Sequence, residues 1–318
     1  MHDFKPTGRL TLAALSALPP VELTRNLAED SGRTARWVFD AACCGLVEAQ
    51  TTLGQMLLDG RGTPADASAA RRWFTLAAQA GHPPAANMLG RCFERGWGGE
   101  PDFAQAARWY RCAAEASLDW GQYNLANMLL RGRGVAKDRE QAFQWYRKAA
   151  EQGHAKSMNL VGRFLEEGWT MPVDKAAAAT WYRRAAEGGD FRGQYNLATL
   201  LVQSGSLAEA LLWFKRAGEE GSQDFRRLAA EQLLARPEPE LRRVGLTIAA
   251  RCCDDGEGMD FHRYGLALAE GPEARPALAL AWLRRALAAG YDPAKPDIER
   301  LQAQRTRAKR SRWRMRWR

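Results

Sequence analysis

The sequence predicts an all-α fold, a right-handed α-solenoid of antiparallel helix hairpins. Three observations carry this. Trp37, Trp73, Trp109, Trp145 and Trp181 stand 36 residues apart. Asp66, Asp102, Asp138 and Asp174 keep that spacing, as do Ala70, Ala106, Ala142 and Ala178. Glycines break the chain at fixed offsets, for instance Gly132 and Gly134 in the third unit. A constant period of this length marks helical hairpins that cannot bury their apolar faces alone and therefore stack.

The elements follow in chain order. Residues 1–36 read as N-terminal capping helices. Lys5 and Arg9 before the apolar run Leu10–Leu18 loosely mimic a secretory signal, but Asp3, Thr11 and Ser16 interrupt that pattern and no small-residue cleavage site follows. Residues 37–222 carry the regular repeats. In the unit 121–156, helix A runs from Gly121 to about Leu130 and presents Leu125, Ala126, Met128 and Leu129. Two glycines then stop it by allowing positive φ. Asp138 caps helix B, with Gln141 placed as its capping-box partner. Ala142, Trp145, Ala149 and Ala150 form the apolar stripe of helix B, which Gly153 ends. Gly54, Gly90, Ala126, Gly162 and Ala198 share one register, so a small residue lets helix B approach helix A closely. The tryptophan is expected to fill the space between hairpins, so that truncating it to Ala costs about 3–5 kcal/mol. Residues 223–291 are degenerate, with Pro237 and Pro239 in a loop and the pattern recovered by Gly265, Trp282, Ala286 and Gly290. Residues 292–318 form a basic Trp/Arg tail.

The unit reads A/G-x-x-x-L-G/A-x-x-L/Y-x-x-G-x-G, then D-x-x-x-A-x-x-W-Y-x-x-A-A-x-x-G. It resembles the Sel1-like repeat, a relative of the tetratricopeptide repeat, strongly over 37–222 and more weakly over 223–291. The resemblance implies a bacterial adaptor or scaffold. It implies a fold far more specifically than a partner. Secreted, disulfide-rich members carry a cysteine pair in every repeat. Here Cys92 and Cys112 share one repeat, and no other repeat has cysteines at those registers.

Charge is local. The net charge is +9, and residues 300–318 hold nine cations and no acid, so residues 1–299 are formally neutral. Only the tail has the composition of a general polyanion binder. The six cysteines include two vicinal pairs, Cys43-Cys44 and Cys252-Cys253, which are poor disulfides and poor metal clips on a helix. Buried thiols in a reducing compartment follow, and with them a cytoplasmic location; a periplasmic or exported one requires residues 1–20 to act as a signal. His82 and His154 share a register just after the glycine that ends helix B, where a turn role near a helix C-terminus outweighs a ligand role. No nucleophile elbow, phosphate loop or zinc-protease helix is present, so the chain is expected not to be an enzyme and to need no cofactor, metal or small-molecule substrate.

Binding residues follow from helix A, which lines the concave face in related solenoids. The repeat register selects Asn87, Arg91, Arg95, Tyr123, Asn127, Arg131, Asn159, Arg163 and Tyr195 as a partner-binding groove. Asn and Arg grip amides and carboxylates, and Tyr adds rigid apolar area, so the expected partner is a protein or an acidic peptide segment. The opposing consideration is the chain's use of 38 Arg against 8 Lys, since a polar helix face is also what any solvated helix shows. In the tail Arg310, Arg312, Trp313, Arg314, Arg316, Trp317 and Arg318 interleave aromatics with cations. That pattern suits anionic lipid or single-stranded nucleic acid, and equally a solubilising end. Three readings remain open at this point: an interaction scaffold, a peripheral nucleic-acid or membrane-binding factor, and an exported envelope binder or enzyme.

Overall fold

The computed structural model describes residues 31–271 and 274–316. Sixteen α-helices and no strand occur among them. They form two compact units, one ending at Asp174 and the other beginning at Lys175. The capping helices expected over 1–36 lie outside the described residues except for the start of the first helix.

The first unit contains α1 (Ser31–Cys43), α2 (Val47–Asp59), α3 (Ala67–Gln79), α4 (Pro83–Arg95), α5 (Phe103–Glu115), α6 (Asp119–Arg131), α7 (Arg139–Glu151) and α8 (Ala155–Glu167). Helices α2–α3, α4–α5 and α6–α7 are hairpins, each packed on the next through its second helix. The second unit contains α9 (Lys175–Glu187), α10 (Phe191–Gln203), α11 (Leu207–Glu220), α12 (Gln223–Leu234), α13 (Pro239–Cys252), α14 (Gly258–Ala269), α15 (Pro276–Ala288) and α16 (Ala294–Arg316). Its hairpins are α10–α11, α12–α13 and α14–α15, with α16 laid on the last.

Local chemistry explains the uniform helices. Helix A ends on a glycine in the left-handed region, as at Gly96 (φ 70°) and Gly132 (φ 68°), whose N–H closes on Cys92 O and Met128 O. Helix B begins on an aspartate whose carboxylate accepts from the N–H three residues on: Ala69, Gln105 and Gln141 donate at 2.8, 2.9 and 2.9 Å. The capping box expected at Asp138 is not the arrangement found. The Asp138 N–H donates to Leu129 O at 3.0 Å, and Asp66 and Asp102 do the same to Leu57 and Phe93. That bond ties the start of helix B to the end of helix A, so the Gln141 side chain has no cap donor to meet.

The core corrects a second expectation. The tryptophans Trp73, Trp109 and Trp145 are only half-buried. The aromatic that follows each of them is fully enclosed: Phe74, Tyr110 and Tyr146 are 0% exposed. The small residue of helix A is their seat. A Cβ on Gly54 would stand 2.7 Å from the Phe74 ring, and one on Gly90 would stand 2.6 Å from that of Tyr110. The smaller ring fits between the two helices of a hairpin. The larger indole sits one residue, about 100°, further round and covers the joint from outside.

The second unit departs from the repeat at α12–α13. There α11 packs chiefly on α13 rather than on α12, and a Cβ on Gly218 would meet Ile248 at 2.5 Å. An ion pair fastens the displaced helix. Arg227 on α12 donates through Nε and Nη2 to the two carboxylate oxygens of Asp260 on α14, both at 2.8 Å. Asp260 is 2% exposed and also accepts from Gln223 and from the Glu257 N–H. Ala294, Ile298 and Leu301 of α16 are buried in the last hairpin's core, so the residues read as tail begin as a docked helix. No helix among the described residues is long and apolar enough to cross a membrane.

Candidate protein-interaction face

The groove residues lie on helix A of successive repeats, and the structure sorts them by burial. Eight of them fall in the first unit on α4, α6 and α8; Tyr195 falls in the second, on α10. Arg91, Arg95, Arg131 and Arg163 are exposed. None of these four has a carboxylate ion-pair partner among the described residues. Arg91 and Arg163 instead lie over Trp97 and Trp169, 5.2 and 5.3 Å from the ring centroids, an arrangement that holds a guanidinium in place without neutralising it.

The asparagines sit deeper. Asn87 is 8% exposed and its Oδ1 accepts from Asn124 Nδ2 at 2.8 Å. Asn159 is 4% exposed. Asn127 donates to Tyr123 O at 3.0 Å and accepts from the Tyr146 hydroxyl at 3.0 Å. These side chains pair within and between helices. They are taken up by the protein itself, because a buried amide must find partners. Tyr195 donates to Gln232 at 2.6 Å and packs on Phe214 and Phe225; burial pushes its hydroxyl up to about 12.

Electrostatics shows which cations converge. Burial raises the Tyr146 hydroxyl above its ordinary range, and Arg131 and Arg163 both oppose that rise. Burial likewise raises Tyr110, with its hydroxyl donating to Glu94 at 2.7 Å, and Arg91 and Arg95 oppose the rise. Tyr110 and Tyr146 thus each feel the charge of two exposed arginines.

His82 and His154 are the N-caps of α4 and α8, so each faces the start of the following helix. His154 Nδ1 accepts from the Ser157 N–H at 3.3 Å and lies 2.8 Å from its hydroxyl. Burial lowers its pKa, which disfavours the charge expected from the turn reading. His82 Nδ1 lies 2.8 Å from Thr51 Oγ1.

Sequence reasoning missed Trp97, Trp169 and Trp120. Trp120 stands on the second residue of α6 and is 44% exposed. Its signal was available: other repeats carry Glu48, Pro84, Lys156 and Arg192 at that register. Of the tail residues, Arg310, Arg312, Trp313, Arg314 and Arg316 fall within α16. Trp317 and Arg318 lie outside the described residues. Among the described residues no three His, Cys, Asp or Glu side chains converge on a point that could hold a metal ion.

Comparison with known proteins agrees with this architecture. The sequence matches no curated protein. A solved structure of c5321, a protective antigen of uropathogenic Escherichia coli with an SLR fold, is similar at 27% identity and TM-score 0.63, over 90% of this chain and 64% of that one. The chain therefore spans less than two thirds of that protein. A Sel1 repeat protein from Oxalobacter formigenes is similar at 27% identity and TM-score 0.61, over 72% of this chain and 94% of that one. Sel1 repeats are non-catalytic helical scaffolds and generally serve as protein–protein interaction modules. The Sel1 repeat model matches residues 47–82, 83–118, 121–154, 155–190, 192–222 and 256–291, passing over the displaced α12–α13 hairpin, and the chain belongs to the Sel1 repeat family.

Proposed function

We propose that this protein is a scaffold that holds an acidic segment of a partner protein along α4, α6 and α8 of the first unit. The observation that carries this is the set Arg91, Arg95, Arg131 and Arg163, exposed and without carboxylate ion-pair partners among the described residues, on the first helices of three successive repeats. Arginine is weakly hydrated, and its planar fork suits a carboxylate, so a row of guanidinium groups without direct ion-pair partners favours an anionic, extended ligand. Trp97 and Trp169 hold Arg91 and Arg163 in place, which lowers the entropy lost on binding. The test is capture of the partner by the protein with Arg91, Arg131 and Arg163 changed together to Ala. Capture should fall with the melting temperature nearly unchanged, since exposed side chains away from the core contribute within about 0.5 kcal/mol each. Undiminished capture rejects the reading.

A second reading rests on α16, which continues as a helix through Arg316 after its docked beginning. Its basic residues suit a nucleic-acid strand or an anionic bilayer. Removing residues 308–318 spares the buried Leu301 and tests this against RNA and anionic vesicles; equal binding by the shortened chain ends it. We further propose a reducing, cytoplasmic setting. It is supported by the buried thiols Cys92, Cys252 and Cys253, of which burial pushes the pKa of Cys92 up to about 11 and that of Cys253 up to about 12; Cys43, Cys44 and Cys112, expected to be buried, are instead exposed. Mapping the N-terminus of the mature protein tests that proposal against export.

A further inference from the structure

Trp120 at the start of α6 is 44% exposed, the most exposed indole among the described side chains, while Tyr123 and Trp145 beside it are half-buried and Tyr146 is enclosed. Trp120 is also held in place. Its ring meets Tyr123 edge-on at 6.0 Å and His154 at 4.6 Å, and Lys156 Nζ lies 5.1 Å from its centroid. His154 is 7% exposed, and its Nε2 is buried with no hydrogen-bond partner. With Nδ1 engaged by Ser157, that edge of the ring is left among the aromatic systems of Trp120 and Tyr123, which is 4.9 Å away. Tyr123 in turn packs on Tyr146 at 6.0 Å, beside Asn127 and near Arg131 and Arg163. Trp120, Asn124, Asn127 and Arg131 fall at i, i+4, i+7 and i+11 of α6, which is one helix face. An exposed, braced indole therefore opens a strip that ends at two unpaired arginines.

We propose that Trp120 is the anchor subsite of this face and takes an aromatic side chain of the bound segment. This rests on the acidic-segment reading above. The helix sets the spacing. Eleven residues at ~1.5 Å each put Trp120 roughly 16 Å from Arg131, which an extended chain at ~3.3 Å per residue covers in about five residues. The occupant is thus a segment with an aromatic residue about five positions from an acidic pair. Aromatic partners gain from edge-to-face packing beyond the area they bury, and a rigid aromatic anchor beside charge-assisted contacts is how interaction hot spots are built.

The experiment uses the full chain and fluorescein-labelled peptides with one Phe and a Glu-Glu pair separated by about four Gly and Ser residues, in both orders, with matched peptides carrying Ser for Phe. In one order the Phe peptide should bind about tenfold tighter than its Ser match, a difference of about 1.4 kcal/mol. Trp120→Ala should remove that advantage and Trp120→Phe should keep most of it, with unchanged melting curves. The Arg131→Ala, Arg163→Ala double variant should weaken both peptides. Equal affinity of Phe and Ser peptides for the unaltered protein overturns the anchor, as does a Phe advantage that survives Trp120→Ala. If the Arg variant still weakens binding in that case, the acidic groove stands without the anchor. Failure of every peptide to bind overturns both.

Discussion

Ser117 has φ +62° and is the described chain's non-glycine residue at positive φ. It occupies the register of Gly45, Gly81, Gly153 and Gly189, at φ 90°, 86°, 100° and 81°. A Cβ on any of those glycines would meet nothing within 4 Å. The cost at Ser117 is therefore backbone strain alone, about 1–2 kcal/mol for an L-residue in this region. Ser117→Gly should raise the urea midpoint by an amount equivalent to about 1 kcal/mol, less the added freedom of the unfolded glycine. His154 gives a pH prediction at the same scale. Burial lowers its pKa below the ordinary 6.5, so the unfolded ring takes up a proton before the folded one. Its contribution is present in full above about pH 6.5 and is lost as the pH falls below that value. Thermal melts between pH 7.5 and 5.5 should show a smaller acid-side drop for His154→Gln than for the unaltered chain.

At the scale of elements, the hairpin is held by the ring between its helices. Tyr146 is 0% exposed and Trp145 is half-buried, so Tyr146→Ala should cost about 3–5 kcal/mol and Trp145→Ala distinctly less. A denaturant series on the two variants checks the order. The sequence pointed at the tryptophan because its period is the most visible. Periodicity shows that a register is constrained, but not which of two adjacent aromatics faces inward. In the second unit the Arg227–Asp260 pair joins α12 to α14. Arg227→Ala leaves a carboxylate that is 2% exposed without its main partner and should cost about 3–5 kcal/mol. Hydrogen exchange should then quicken in α12 and α14 first. Burial raises the Asp260 pKa, but the hydrogen bonds and charge of Arg227, the Glu257 N–H and Gln223 together outweigh it and hold the pKa below the ordinary 3.8, so this stabilisation is present above that pH and disappears as acid protonates the carboxylate. Arg227 lies outside the matched repeats, and an ion pair between two particular residues leaves no recurring signal, which is why the pair was not legible in the sequence.

For the whole molecule, a basic face that grips an acidic segment should lose affinity as salt rises, because exposed charges are screened within about 8 Å at physiological ionic strength. Partner capture measured from 50 to 500 mM salt should fall steeply for the unaltered protein and little for the triple arginine variant. The sequence by itself determined the helical hairpins, their period, the glycine stops and aspartate caps, and the family. These depend on backbone geometry and on contacts a few residues apart, which a repeated register displays directly. Only the tertiary structure decided which side chains of that register are covered. It buried Asn87 and Asn159, enclosed Tyr146 instead of Trp145, and left Trp120 open to solvent. Burial depends on what the neighbouring repeat presents, and a residue's own register carries no record of the surface packed against it.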